Sequence, residues 1–152
     1  MRKLKMAEAD LAALARLMRK VEFFAPMTIG QLEMILPFIL LCEYADGEVV
    51  FKQNGEGDAF YIVYDGEVGV RVRKGFFSFS KEVAKLKSGD FFGEMALLTR
   101  EARTATIVCT RPSKLFVLMA ADFDYVLKRN PTFKDEINKI AARRKFLQKH
   151  ES

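Results

Sequence analysis

The residues best suited to chemistry fall in one stretch, "GDFFGEMALLTREARTATIVC", Gly89 to Cys109. Glu94 follows a glycine at the start of an apolar turn, and Arg103 stands nine residues later among small residues, before a run that reads as a buried strand. A buried guanidinium without a partner costs several kcal/mol, so Arg103 requires an anion. Its fork of donors matches a phosphate bidentately, where a lysine supplies only a point charge. Gly93 lets the backbone turn tightly before "EMALL", whose residues are good helix formers. The amides from Glu94 to Ala96 are therefore expected to lack intrahelical partners and to attract an anion. Glu94 itself is unsuited to phosphate, but a carboxylate accepts from sugar hydroxyls, and nearby amides help to keep it ionised. The pair reads as two grips on one small ligand that carries both hydroxyls and a phosphate. Plainer readings stand beside it: Arg103 pairing with a structural carboxylate such as Glu94, and Glu94 capping the short helix.

The elements that must position this pair are legible in outline. Leu11, Leu14, Met18 and Val21 recur at helical spacing, and a second turn or helix follows around Gln31 to Ile39, so the N-terminal quarter reads as helical. From Cys42 the chain changes to short apolar runs broken by Asp46-Gly47, Gly55 to Asp58, Asp65-Gly66 and Ser88 to Asp90, the turn chemistry of an antiparallel β-roll or barrel. Within it "AFYIVYDGEVGVRVR" reads as a hairpin turning at Asp65-Gly66, with Val68, Val70 and Val72 on one face. After a strand pair ending near Leu118, "AADFDYVLKRNP" reads as a helix stopped by Asn130 and Pro131, and Phe133 to Leu147 as a last helix. The fold class expected is α+β, with no internal repeat and no linker.

Composition narrows the function classes. With 152 residues and 50% of them apolar, the chain fits one domain with a real core. No apolar run reaches the roughly 18 residues of a spanning helix, and the first residues lack the pattern of a signal peptide. Cys42 and Cys109 lie in apolar strand contexts and read as free thiols in a reducing cytoplasm rather than as a disulfide. The single histidine, His150, excludes a histidine-rich metal site, and no cluster of acid, base or metal ligands supports catalysis, so neither metal nor catalytic residues are expected. The formal charge of +5 resides at the ends: residues 1 to 20 carry six basic and two acidic side chains, and residues 131 to 152 carry six and three. Both ends read as helices, whose basic faces are commonly solvated, so the charge does not favour a nucleic-acid partner.

The stretch "FFGEMALLTREARTATIV" resembles, without a gap, the phosphate-binding cassette of the cyclic nucleotide-binding domain, whose pattern runs F-G-E, a short apolar helix, a variable loop and R-[TSA]-A-[TS]-[VI]. "ADGEVVFKQNGEGDAFYIVYDGEVGV" is similar to the early β-roll of that family, and the flanking helices resemble its N-terminal segment and its paired B and C helices. The resemblance implies a jelly-roll-like antiparallel β-roll of about eight strands with an N-terminal helical segment, a short cassette helix and two C-terminal helices. One domain over 1–152 is expected: N-terminal helices over 1–40, the roll over 41–119 with the cassette at 89–109, and the B and C helices over 120–148. It further implies that Glu94 bonds a ribose 2′-hydroxyl and Arg103 a cyclic phosphate, supported by amides of Gly93, Met95, Ala96, Thr104 and Ala105. Two departures are visible. Asn54-Gly55 stands where the family has a glycine, and asparagine best replaces glycine at a left-handed position. Glu101-Ala102 stands where many members have a proline.

The rest of the ligand is read less directly. A charge enters the apolar stripe of the last helix at Arg144, which makes that residue, with Arg143 or Lys145 beside it, the candidate lid over the base; complementing the helix dipole is the alternative. Leu86 is either a base-pocket residue or plain core. Thr104 can offer its hydroxyl to a guanine amino group, yet the resemblance leads with cAMP as ligand and keeps cGMP second, with no other cofactor. Three functions follow: a cyclic-nucleotide sensor that signals by moving its C-terminal helix to an effector protein or a fused effector domain; a DNA-binding regulator, which needs a helix-turn-helix beyond the last helix; and an enzyme on a β-roll. The first is expected, with a degenerate cassette serving as a protein-interaction module as its alternative. The "GFFSFS" stretch, Gly75 to Ser80, is either an interaction tip or a loop folded back on the roll.

Overall fold

The computed structural model describes residues 1–75 and 79–151, with side chains described as far as 143. The chain opens with a strand that periodicity does not reveal, β1 (Arg2–Leu4), which pairs antiparallel with β2 (Leu40–Tyr44). The N-terminal quarter is otherwise helical. Helix α1 (Glu8–Lys20) begins where the Asp10 carboxylate accepts the Ala7 amide at 2.8 Å. Helix α2 (Ile29–Ile35) begins on a reciprocal capping box, Gln31 N donating to Thr28 Oγ1 at 3.1 Å and Thr28 N to Gln31 Oε1 at 2.9 Å. Pro37 then disfavours further α-helix, and the chain passes through a 3-10 turn, Leu36–Phe38, into β2.

Seven more strands follow: β3 (Val49–Phe51), β4 (Ala59–Asp65), β5 (Glu67–Val72), β6 (Lys81–Lys87), β7 (Phe91–Phe92), β8 (Thr106–Cys109) and β9 (Ser113–Met119). They form two antiparallel sheets, one of five strands in the order β1-β2-β9-β4-β7 and one of four in the order β3-β8-β5-β6. The short helix α3 (Met95–Leu98) interrupts the strands between β7 and β8, and α4 (Ala120–Lys128) and α5 (Pro131–Glu151) close the chain. The α+β roll expected from the sequence is therefore present, with nine strands among the described residues.

The expected hairpin at Asp65-Gly66 is corrected. Strands β4 and β5 are consecutive but lie in different sheets, β4 pairing with β9 and β7, and β5 with β6 and β8. The Asp-Gly signal marks a corner. The reason is burial on both faces of β4, which a two-stranded ribbon cannot supply: Phe60 and Ile62 join the core beneath the helices with Leu14, Phe24 and Phe123, while Tyr61 and Val63 join the core between the sheets with Val68, Ile107 and Leu115. The alternation of Val68 and Val70 toward the roll interior does hold. Cys42 and Cys109 are both free and buried in that inter-sheet core, where loss of water pushes their thiol pKa values up. Among the described residues no helix is long and apolar enough to cross a membrane.

Candidate ligand-binding site

The site is built where β7, α3 and the start of β8 meet the loop between β3 and β4. At Arg103 the backbone is tied to that loop in both directions, its amide donating to the Gly55 carbonyl at 2.8 Å and its carbonyl accepting from Asn54 N at 2.7 Å. The residue substituting for glycine does take the left-handed conformation: Asn54 has φ +70°. Gly57 lets the loops close, since a Cβ there would stand 2.2 Å from the Glu101 carbonyl oxygen.

So held, Arg103 turns its side chain inward and keeps only 4% of it exposed. Its Nη2 donates to the Ala59 carbonyl at 2.7 Å and reaches Asp58 Oδ1 at 3.4 Å. The guanidinium carbon lies 3.9 Å from the centre of the Phe51 ring, a cation–π contact whose strength grows as water is excluded. Burial lowers the pKa of Arg103, opposed by the neighbouring Tyr61 and Asp58. Among the described residues Nε of Arg103 is buried with no hydrogen-bond partner. A charged group in that condition calls for an acceptor.

That acceptor has room. A cavity of about 350 Å3 opens on Arg103, within the ~300–1,000 Å3 range of small-ligand pockets. Its wall joins Gly93, Glu94, Met95 and Ala96 to Arg103, Thr104 and Ala105, with Phe51, Val70, Phe92 and Ile107 as the apolar part. Gly93, at φ +78°, is needed for the approach, because a Cβ there would stand 2.8 Å from Arg103 Nη1 and 3.0 Å from the Ala59 carbonyl oxygen. Glu94 is half-buried at the start of α3 and makes no side-chain cap. One cavity thus gathers a buried cation, a carboxylate and a sharp backbone turn.

Seven of the residues singled out in the sequence, Gly93, Glu94, Met95, Ala96, Arg103, Thr104 and Ala105, line this one cavity. Two readings change. The Ala96 amide is spent on the Gly93 carbonyl at 3.1 Å, in a turn tighter than an α-helix, so it is not open as the helix-start argument requires. Leu86 is not among the cavity residues; it sits on β6 opposite Val68 and packs on the inter-sheet core. Arg144 falls on α5, but its side chain lies outside the described residues, as do Phe76 to Ser78 of the "GFFSFS" stretch. Sequence reasoning missed Asp58 and Phe51. Asp58 was visible only as part of a turn, and Phe51 as one apolar residue in a strand. Arg103 pairs with Asp58 at 3.4 Å. Phe92 stacks on Tyr61 at 5.0 Å, which agrees with a packing role, and also faces the cavity.

Comparison with known proteins agrees with this geometry. The family model for the cyclic nucleotide-binding domain matches residues 41–130, which include the whole cavity wall, and the chain belongs to that family. A putative potassium channel protein of Rhodopseudomonas palustris is 30% identical over 125 residues, covering 82% of this chain and 30% of that protein. The cGMP-dependent protein kinase egl-4 of Caenorhabditis briggsae is 36% identical over 93 residues, covering 61% of this chain and 12% of the kinase. Among solved structures, cAMP-bound PfPKA-R (141-441) superposes with a TM-score of 0.74 at 25% identity, covering 82% of this chain and 44% of that one. The chain spans less than a third of the length of the two curated relatives. It is a cyclic nucleotide-binding regulatory domain.

Proposed function

We propose that this domain is a cAMP sensor in which Arg103 pairs with the cyclic phosphate and Glu94 accepts from the ribose 2′-hydroxyl. Backbone amides of Gly93, Met95, Thr104 and Ala105 complete the grip, and nothing covalent happens to the ligand. The observation that carries this reading is the buried Nε of Arg103, which faces no acceptor among the described residues and lies in the wall of a nucleotide-sized cavity. Ligand binding then draws α5 over the cavity, with Arg144 as the residue closing on the base, and the movement passes to an effector protein or to a domain beyond this chain. Two free buried thiols suit the cytoplasm.

cGMP is the second reading, favoured by one observation: Thr104 is exposed at the cavity wall directly after Arg103, where its hydroxyl can meet a guanine amino group. Calorimetric titration with each nucleotide distinguishes the two. Saturable binding with cAMP the tighter ligand is expected, and Arg103→Ala is expected to weaken it by about a hundredfold or more, as loss of one partner of a desolvated charge pair does. Tighter cGMP binding that is lost in Thr104→Ala would move the assignment to cGMP. Failure of both nucleotides to bind the intact protein would leave a degenerate cassette acting as an interaction module.

A further inference from the structure

The four-stranded sheet has a second concave feature, on the face turned away from the nucleotide cavity. There an open groove of about 1000 Å3 is lined by Val49, Lys52, Arg71, Arg73, Thr106 and Val108, among others. Strand alternation keeps it apart from the nucleotide: Val70 and Ile107 face the cavity, and their neighbours Arg71, Thr106 and Val108 face the groove.

The charge balance of this face is uneven. At one end Glu67 gathers the cations around it, with Arg111 Nη2 at 3.3 Å and Lys85 Nζ at 3.8 Å, and accepts a hydrogen bond from Thr110 at 2.7 Å. At the other end no carboxylate lines the groove, and among the described residues none of Lys52, Arg71 and Arg73 has an ion-pair partner. Two of these cations stand on a frame of neutral hydrogen bonds. Arg71 donates from Nε to Ser80 Oγ at 3.2 Å and from Nη2 to the Ser80 carbonyl at 3.4 Å. The Gln53 side chain clasps the Arg73 backbone, Nε2 donating to its carbonyl at 3.0 Å and Oε1 accepting its amide at 2.8 Å. Apolar surface adjoins the charge: Val49 in the groove is 41% exposed, and Phe79, next to Ser80, is 90% exposed. Aromatic and arginine residues side by side are the composition that anchors protein interfaces.

We propose that this groove docks an extended acidic segment of a partner protein, its carboxylates meeting Lys52, Arg71 and Arg73 and its apolar side chains meeting Val49 and Phe79. The mixture favours a peptide over the other anionic partners. Nucleic acid takes a continuous cationic track, often with aromatic platforms along it, and here the cations end at the neutralised cluster around Glu67. A membrane surface takes protruding apolar and basic groups, and these cations line a recess.

The test is fluorescence anisotropy of a dye-labelled peptide of alternating glutamate and valine, titrated with the full chain and with the double variant Lys52→Glu, Arg73→Glu. Both side chains are exposed, and the frame at Arg73 is made by its backbone, so the variant should keep its thermal midpoint; Arg71 is left in place because it is half-buried. Saturable binding that weakens with added salt, and that falls at least about tenfold in the variant, is expected. No saturable binding, or undiminished binding to a folded variant, overturns the proposal. It is also overturned if oligothymidine or phosphatidylserine vesicles displace the peptide and lose their own binding in the same variant, since the groove would then belong to nucleic acid or to a lipid surface. These measurements do not involve the nucleotide, so their failure is separate from failure of the cAMP reading.

Discussion

The two faces of the four-stranded sheet carry the same chemical group, the guanidinium, in opposite settings. On the inner face Arg103 is desolvated, stacked on Phe51 and fixed by backbone bonds to the loop before β4. On the outer face the Arg71 guanidinium donates to the neutral oxygens of Ser80, and the Arg73 side chain is exposed. Residue type alone does not define an anion site. A buried cation needs its anion, since the cost of dehydration is met only by a close partner of matching geometry. A solvated cation attracts any anion weakly, and gains selectivity only when several act together beside apolar surface.

The inner site is most sensitive at Gly93. Gly93→Ala forces a Cβ against Arg103 Nη1 and the Ala59 carbonyl at φ +78° and should destabilise the fold by about 2 kcal/mol, together with loss of nucleotide affinity, as read by urea unfolding and calorimetry. An unchanged unfolding midpoint would mean that the inner arginine is not pressed against this turn. A smaller effect is expected at Asn54. Asn54→Ala should cost about 1 kcal/mol because alanine tolerates φ +70° poorly, whereas Asn54→Gly should be close to neutral. If the two variants unfold alike, the left-handed turn does not hold Arg103 in place. The smallest effect belongs to the outer face. Hydrogen bonding from Thr110, aided by Lys85 and Arg111, holds the Glu67 carboxyl below its ordinary pKa. A carboxylate depressed in the folded state adds stability that is present above its unfolded pKa and lost as pH falls through the folded one. Glu67→Gln should therefore flatten the acid limb of stability against pH, by an amount limited by the solvent around its partners; an acid limb as steep as before would remove Glu67 as the neutralising group.

How much of this was legible depends on how local the signal is. The cassette could be read because Gly93, Glu94 and Arg103 lie within one short stretch and each type has a narrow physical use. Asn54 was legible for the same reason, through the few residues that accept positive φ. What failed was nonlocal. Asp65-Gly66 announces a sharp turn but not whether the two strands share a sheet, and the two-sided burial of β4 decided that. The partners of Arg103 lie far off in the chain, Asp58 being 45 residues away, so no spacing rule joins them. Strand β1 is three residues long and owes its existence to the edge of β2 rather than to its own pattern. Leu86 is apolar in a strand, a description equally true of a pocket wall and of core, and only the packing on Val68 separates them.

The most direct test of the inner arginine as the phosphate grip is two-dimensional NMR of the labelled chain titrated with cAMP. The expected result is that amide shifts concentrate at Gly93 to Met95 and Arg103 to Ala105, that the Arg103 Nε–H resonance moves as it gains an acceptor, and that Arg71, Arg73 and Lys52 stay in place. Shifts confined to the outer groove, with the Arg103 side chain unmoved at saturation, would contradict it and assign the nucleotide to the wrong face of the sheet.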